Sequence, residues 1–324
     1  MKPKQAQHGV ALITALLVVS LATVLAVSLV DHLYYDIRRT ENIMRQDQSQ
    51  LYNSNAVSFG MVMIQQDRSA NNEFDSKADI QLFNDQAAIF PVEGGTVSAF
   101  LTDLQSCFNV NNLSKENPQW AKARAQYVRL LTNLGIDTNL QATLADSLID
   151  WIDVDDIYEP QGAEFDYYIG LLPNPYRTSN TLIVSISELA LIKGYTAKVI
   201  DTIKTQVCAL PVSNSSINVN IASAEMLDSI EGLAGFGQQI VQARDGDPKD
   251  TNDDAPFTAI DDFNSTAKRL GVKTTAVGVQ VFSEYFLLTT RTQLGAGDVK
   301  LFSIIYRDNS NAETKLIRQT SGAL

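Results

Sequence analysis

The stretch VALITALLVVSLATVLAVSLV, residues 10–30, decides the fold of this 324-residue chain, because its 21 residues include no charge, proline or glycine. A helix of this length spans about 31 Å at about 1.5 Å of rise per residue, which matches the hydrocarbon thickness of a bilayer. Lys2 and Lys4 precede it without any acid. Positive residues before an apolar segment predict that the N-terminus lies in the cytoplasm and the rest of the chain outside.

The apolar stretch has two simpler interpretations, a secretory signal peptide and a plain membrane anchor. A signal peptide usually has an apolar part of about 7–15 residues followed by a small-residue cleavage site, and this sequence has neither. The chain instead continues to Gly60 without a helix breaker, and Leu33, Ile37, Met44 and Leu51 recur at helical spacing. We therefore predict one helix of about fifty residues that leaves the membrane as an amphipathic helix. Hydropathy alone does not separate this helix from a plain anchor.

The composition excludes three classes of protein. The 25 Lys and Arg face 37 Asp and Glu, and the resulting formal charge of −12 argues against a nucleic-acid coat, since phosphate binding needs an excess of cations. Hydrophobic residues make up 45% of the chain, too many for a disordered protein. Two cysteines and two histidines cannot supply a zinc framework or a dense set of disulfides. The length predicts about two domains.

Hydrophobic periodicity divides the rest of the chain into three parts. Residues 67–90 are polar and loop-like, and the alternation of Val97, Ala99 and Leu101 after a Gly-Gly pair predicts a strand. A block of about 160 residues with helical spacing follows. Its predicted helices lie in residues 118–135, 140–153, 187–194, 196–210, 223–233, 237–245 and 259–271. From residue 274 the period is two, and this predicts three antiparallel strands in residues 277–293, 299–308 and 314–320.

This order of elements predicts an α+β fold of pilin-like type, in which the long N-terminal helix packs on an antiparallel sheet and a large all-α domain is inserted between strands. The predicted units are a leader of residues 1–9, the helix of residues 10–66, a first part of the sheet domain in 67–113, the inserted domain in 114–272 and the last strands in 273–324.

The strongest polar cluster is DWIDVDDIYEPQGAEFDYY, residues 150–168, in which six acids crowd a loop that leaves a helix. Flexible acidic loops supply the six to eight oxygen ligands that Ca²⁺ takes, although the spacing here is not that of an EF-hand. Two alternatives stay open on spacing alone: a solvated acidic loop, and a membrane-anchored hydrolase that uses paired carboxylates. The run DGDPKDTNDD, residues 245–254, is either a second cation site or a mobile acidic loop.

Residues 216–263 look like a helix-hairpin-helix repeat of the kind found in DNA-uptake proteins, with Gly232 to Gly237 as the turn that would offer its N–H groups to phosphate. This gives the main alternative function, a DNA-binding component of an uptake or type IV pilus apparatus. Four basic residues face ten acidic ones between positions 216 and 271, however. Since that charge repels DNA, we interpret the segment as a structural relic and expect no nucleic-acid partner.

Cys107 and Cys208 both lie in the predicted periplasmic part, where an oxidising compartment makes a disulfide between them plausible. The alternative is two buried free thiols. Neither His8 nor His32 has a serine or cysteine partner within sequence reach, so we propose no catalytic triad.

The N-terminus resembles the class III leader of type IV pilins and secretion pseudopilins, in which a short basic leader ends in glycine and the apolar segment begins at once. The resemblance implies cleavage by a prepilin peptidase between Gly9 and Val10, with methylation of the new amino terminus. Most members carry Glu as the fifth mature residue, where this sequence has Thr14. A buried carboxylate needs a partner in hydrocarbon, and in pilins it pairs with the amino terminus of a neighbouring subunit. Thr14 therefore disfavours a major subunit and suits the tip of a filament.

Further segments resemble one family along the whole chain, general secretion pathway protein K, the large minor pseudopilin of the type II secretion system. They are residues 90–113, DWIDVDD with GAE and the following tyrosines, PNPYRTSN at 173–180, 185–194 and 216–227. The resemblance implies a Ca²⁺ site at Asp153, Asp155, Asp156, Glu164 and Asn180, with Thr178 or Ser179 as backbone donors.

The same resemblance implies a structural subunit without enzymatic activity in the inner membrane of a Gram-negative bacterium, with the bulk of the chain in the periplasm. It would cap a short pseudopilus together with the I and J minor pseudopilins. That filament would push folded proteins toward the outer-membrane channel, driven by an ATPase elsewhere in the secretion machinery.

Overall fold

A computed structural model of the chain describes residues 8–69, 73–87, 89–246, 255–273 and 276–322. Helix α1, His8–Ser69, is one continuous helix of 62 residues that carries the apolar stretch and extends past Gly60. Gly60 does not break it. A Cβ at that position would lie 2.5 Å from Leu288 Cδ2, so the glycine lets the helix approach the sheet closely.

A five-stranded antiparallel sheet receives the second half of α1. Its strands are β1 (Phe90–Val92), β2 (Gly95–Asp103), β7 (Tyr285–Leu294), β8 (Gly297–Arg307) and β9 (Thr314–Thr320), in the order β1-β2-β7-β8-β9. Val57 and Ile64 of the helix pack with Leu101, Leu288 and Ile305 of the sheet in one buried cluster. The predicted helix-on-sheet fold is confirmed.

The inserted part lies between β2 and β7 and has its own core around Tyr127, Leu144, Leu148 and Phe263, each fully buried. Its helices are α3 (Trp120–Asn133), α4 (Thr138–Ile152), α5 (Phe165–Ile169), α6 (Ala197–Ile203), α7 (Ala224–Ser229), α8 (Gly237–Asp245) and α9 (Ile260–Leu270). Short 3₁₀ helices cover Val110–Leu113 and Ile186–Leu191, and two parallel pairs join β3 (Phe108–Asn109) with β4 (Val207–Cys208) and β5 (Ile217–Asn218) with β6 (Val279–Gln280).

Three predicted elements were wrong in detail. The polar segment after α1 holds helix α2, Lys77–Gln86, which a capping box between Ser76 and Asp79 begins and which buries Phe83 against the sheet. The helix predicted over residues 196–210 ends at Ile203, because the chain then extends to pair β4 with β3. The strand predicted from residue 277 is divided, since β6 pairs inside the inserted domain before β7 joins the main sheet.

Asp75 fixes the inserted domain to the sheet domain. Its buried carboxylate pairs with the guanidinium of Arg307 on β8 and accepts a hydrogen bond from the backbone N–H of Ser283 at 2.7 Å. Asn218 of the inserted domain donates to the Asp75 carbonyl at 3.1 Å. Asp103 at the end of β2 is buried nearby, and its burial raises its pKa to about 6. This polar junction leaves the two domains as one packed unit.

Candidate metal centre

The predicted acidic loop folds so that some of its carboxylates point inward. Asp150 lies in the last turn of α4, Asp153 is the residue that ends this helix, and Glu164 immediately precedes α5. All three are buried, and their oxygens approach one another within 4.8 Å. Gly162 makes the close approach of the loop possible, because a Cβ there would collide with the Asp150 carboxylate.

Asn180 adds an amide oxygen at the same end of α4. Its backbone N–H donates to the carbonyl of Trp151 at 3.0 Å, and its backbone lies in the left-handed region at a φ of 49°. Asparagine tolerates that conformation better than most residues. Within the described part of the chain, no hydrogen-bond donor reaches Asn180 Oδ1 or either carboxylate oxygen of Glu164. Buried oxygens without donors fit a site for a cation.

Lys115 supplies part of the missing positive charge from one side. Its ammonium lies 2.8 Å from Asp153 Oδ2 and 3.1 Å from Glu159 Oε1. Asp150 faces the loop from the other side, where its Oδ1 accepts the backbone N–H of Glu159 at 3.0 Å. One lysine balances only one of the three inward carboxylates when all of them are ionised.

Burial and the mutual repulsion of the carboxylates both raise the pKa values of the cluster. Burial, followed by repulsion from Asp150 and Asp153, raises the pKa of Glu164 to about 8. Burial also raises the pKa of Asp150 to about 6, and the charge of Asp153 adds to the effect. Carboxylate and amide oxygens are the ligands that Ca²⁺ prefers, and the cluster contains neither sulfur nor imidazole.

The structure brings together some of the residues predicted as ligands and separates others. Asp153 and Glu164 lie close together, whereas Asp155 and Asp156 lie exposed on the outside of the loop. Asp155 Oδ1 accepts the backbone N–H of Ile157 at 2.8 Å. Asp150 was not predicted as a ligand, although its position three residues before Asp153 on a helix places both on one face. The side chains of Ser179 and Thr181 hydrogen-bond to each other at 2.8 Å.

In the described residues 232–237, the turn of the hairpin-like segment already uses an N–H group within the chain. The backbone N–H of Gly237, at the start of α8, donates to Asp228 Oδ1 at 2.7 Å. The carboxylate of the chain thus occupies the position that a DNA phosphate would need. Buried Arg244 donates to the carbonyls of Val219 and Ala222 and is not available to a ligand. The second acidic run falls almost entirely on residues 247–254, outside the described residues.

Cys107 and Cys208 form a disulfide, with their Cα atoms 5.9 Å apart and 101 residues between them in sequence. The bond lies in a small buried cluster with Leu210, Tyr285 and Ile304, at the boundary between the inserted domain and the sheet. It joins the residue before β3 to β4, and the bonded pair packs against Tyr285 of β7 and Ile304 of β8.

The apolar N-terminal part of α1 is long enough to span a membrane. Val10–Arg68 is one helix long and apolar enough to cross a membrane, and none of its most apolar window is buried within the chain. The hydroxyl of Thr14 donates to the carbonyls of Val10 and Ala11 in its own helix, each at 3.0 Å. Residues 1–7 of the predicted leader lie outside the described residues, and Gly9 and Val10, on either side of the predicted cleavage site, lie in the first turn of α1.

A membrane-length helix that continues onto an antiparallel sheet defines a pilin-like subunit, here enlarged by an inserted helical domain. Comparison of the sequence with known proteins identifies its family. Residues 106–212 match the family described as Type II secretion system (T2SS), protein K. The type II secretion system protein K of Aeromonas hydrophila is 31% identical over 232 residues, 68% of each chain, and that of Pseudomonas aeruginosa is 29% identical over 311 residues, 94% of this chain and 90% of the relative.

A solved structure has the same fold. One chain in the crystal structure of the GspK-GspI-GspJ complex from enterotoxigenic Escherichia coli superposes with a TM-score of 0.68 at 21% identity, over 88% of this chain and 100% of that one. The chain belongs to the type II secretion system protein K family, and it is a minor pseudopilin of that secretion system. The DNA-binding alternative receives no support from these relatives.

Proposed function

We propose that this pseudopilin occupies the tip of the periplasmic pseudopilus, where it starts and caps assembly together with the I and J minor pseudopilins. The observation that carries this proposal is the hydroxyl of Thr14, which is satisfied within its own helix. It offers no charge to the amino terminus of a neighbouring subunit, so the chain lacks the contact by which a repeating subunit is held. The solved structure with the same fold is a complex of GspK with GspI and GspJ.

The inserted domain supports the same position. It adds the whole of residues 104–284 to one end of the sheet domain, and the hydrogen bonds of Ser283 and Asn218 to Asp75 fix it there. A rigid domain of that size blocks the stacking of another subunit above it. The chain then acts by shape and position, and not by catalysis.

The N-terminal sequence also supports a proposal for how the chain is processed and where it is located. Cleavage between Gly9 and Val10, followed by methylation of the new amino group, leaves the apolar helix in the mature chain as a single inner-membrane anchor with the rest in the periplasm. Mass spectrometry of the mature N-terminus tests this. An intact Met1, or cleavage beyond residue 30, contradicts it.

The tip position is tested by immunogold labelling of the inserted domain on sheared pseudopili. We expect gold at one end of each filament, and labelling along the length would overturn the proposal. Thr14→Val, which keeps the shape of the side chain and removes the hydroxyl, is expected to leave protein secretion within about twofold because no neighbour depends on that hydroxyl.

The buried acidic cluster holds Ca²⁺ in our proposal, through Asp150, Asp153, Glu164 and the side-chain oxygen of Asn180. The orphaned oxygens of Glu164 and Asn180 support it, since a cation is the partner they lack. The ion would bind the end of α4 to the start of α5 and so act as a structural brace. Asp153→Ala and Glu164→Ala are each expected to lower the melting temperature and to abolish its response to calcium. Unchanged melting of the native chain with calcium and with chelator would refute the site.

A further inference from the structure

Lys115 reaches the buried acidic cluster from a turn with a fixed backbone. It follows the 3₁₀ helix Val110–Leu113 by two residues. Asn111 and Ser114 are buried, and the backbone N–H of Ser114 donates to the carbonyl of Asn111 at 3.1 Å. The N–H of Asn117 donates in turn to the carbonyl of Ser114 at 2.9 Å, which closes the turn around Lys115. The lysine side chain therefore starts from a fixed place beside the end of α4.

The ammonium of Lys115 joins two acids of the loop. Its Nζ lies 2.8 Å from Asp153 Oδ2, 3.1 Å from Glu159 Oε1 and 3.9 Å from Asp155 Oδ2. The side chain of Asp153 is 3% exposed and that of Lys115 29%, so water and salt screen this pair less than a surface pair. Within the described part of the chain, Asp153 Oδ1 accepts no hydrogen bond. The carboxylate thus holds the lysine through one oxygen and keeps the other for an ion.

Two other basic side chains contact α4 or its loop, and they are engaged differently. Arg124 Nε donates to Asp146 Oδ1 at 2.7 Å, in the middle of α4. Lys193 Nζ donates to the backbone carbonyl of Gly162 at 2.8 Å. Among the described residues, Lys115 is therefore the one basic side chain that contacts a carboxylate proposed as a calcium ligand.

An ammonium at this position has two opposite effects on the cluster. Without an ion, it offsets negative charge and holds Asp153 to Glu159 across the loop. With a divalent cation bound to Asp153, two positive charges share one carboxylate and repel each other. Lys115 therefore stabilises the cluster without the ion and weakens the binding of the ion.

We propose that Lys115 sets the calcium affinity of the cluster, as a built-in counter-ion with which calcium must compete for Asp153. This inference rests on the Ca²⁺ site proposed above and adds to it what determines the calcium concentration at which the site fills. With the lysine, the acidic loop keeps its fold at low calcium and binds the ion only at a higher concentration. Without the lysine, the same carboxylates would bind calcium tightly and would need it in order to fold.

Isothermal titration of calcium into the detergent-solubilised full chain tests the proposal. Lys115→Met removes the charge and keeps most of the side-chain length, and Lys115→Gln, which keeps an N–H donor, replaces it if Lys115→Met does not fold. Lys115→Arg keeps the charge. Lys198→Met is the matched control, because it removes the same charge from an exposed position on α6.

We expect Lys115→Met to bind calcium at least about tenfold more tightly than the native chain, since one positive charge beside the ion is lost. Lys115→Arg should stay within about threefold of the native chain and Lys198→Met within about twofold, because an exposed charge is screened. Lys115→Met should also melt at a lower temperature than the native chain in chelator and gain more from saturating calcium.

The remaining outcomes separate Lys115 from the site itself. Calcium binding by Lys115→Met that is equal to or weaker than that of the native chain overturns the role of Lys115 and leaves the Ca²⁺ site standing. An equal loss of melting temperature in calcium and in chelator, or an affinity of Lys115→Arg that matches Lys115→Met, overturns that role as well. Absence of calcium binding by every one of these chains refutes the proposed Ca²⁺ site.

Discussion

Neutralising Glu164 should change the stability of the protein in opposite directions with and without calcium. In the absence of a cation, the side chain is buried against Asp150 and Asp153, and repulsion between these groups works against folding. Glu164→Gln keeps the size of the side chain and removes its charge, and the new amide can donate to the neighbouring carboxylates. With calcium bound, the same change removes an anionic ligand. The variant is therefore expected to be more stable than the native chain in chelator and less stable in calcium.

The size of both effects follows from the geometry. At the 4.8 Å limit between ligand atoms, each ionised pair repels by about 3 kcal/mol at an effective dielectric constant of about 20. Protonation of Glu164 already relieves part of this repulsion at neutral pH, because its pKa is raised to about 8. The variant is therefore more stable than the native chain by at most about 3 kcal/mol in chelator. Calcium at a hundred times its dissociation constant stabilises the native chain by about 2.7 kcal/mol. That corresponds to roughly 5–10 °C in melting temperature for a domain of this size.

The assay is thermal unfolding of the detergent-solubilised full chain, followed by circular dichroism in calcium and in chelator. Asp166→Asn is the matched control, because Asp166 lies two residues from Glu164 but is exposed. It should leave the calcium response of the native chain unchanged. If Glu164→Gln destabilises the protein by the same amount in both conditions, the carboxylates neither repel one another nor share an ion, and the reasoning fails.

Three further predictions concern the junction between the domains. Cys107→Ser should lower the free energy of unfolding by about 3–5 kcal/mol in denaturant titrations, because the disulfide closes a loop of about 100 residues. The native chain under reducing conditions should lose the same amount. Arg307→Met removes the guanidinium that pairs with the buried carboxylate of Asp75 and should cost about 3–5 kcal/mol. Arg291→Met, at an exposed ion pair, should cost less than about 1 kcal/mol in the same titration. Asp103 has a pKa raised to about 6, so its ionisation costs the native chain stability as the pH rises from about 4 to about 6. The stability of Asp103→Asn relative to the native chain should therefore increase by about 3 kcal/mol between pH 4 and pH 7. A stability difference that does not change with pH would contradict the raised pKa.

The parts of the fold that depend on long local patterns could be predicted from the sequence. Twenty-one uninterrupted apolar residues leave few alternatives to a membrane-length helix, and the change of period after residue 274 indicated the last strands of the sheet. Helix α2 was missed because its start depends on a capping box at Ser76 and on the burial of one residue, Phe83, against a distant strand. Strand β4 was missed because it exists only through pairing with β3, about a hundred residues earlier in the chain. Short elements held by tertiary contacts leave little local pattern.

The candidate metal site shows the same limit at the level of single side chains. Composition indicated an acidic loop, and the family resemblance selected four residues in it together with Asn180, but the backbone decides which oxygens point inward. Helix α4 ends at Asp153, and the chain after it carries Asp155 and Asp156 on the outside. Asp150, in the last turn of the helix, points inward beside Asp153. Val154 and Ile157 face solvent in the same loop, beside the exposed Asp155 and Asp156. A buried charged centre and an exterior of mixed apolar and acidic side chains are thus two results of one backbone path, and the ion proposed at the centre would hold both in place.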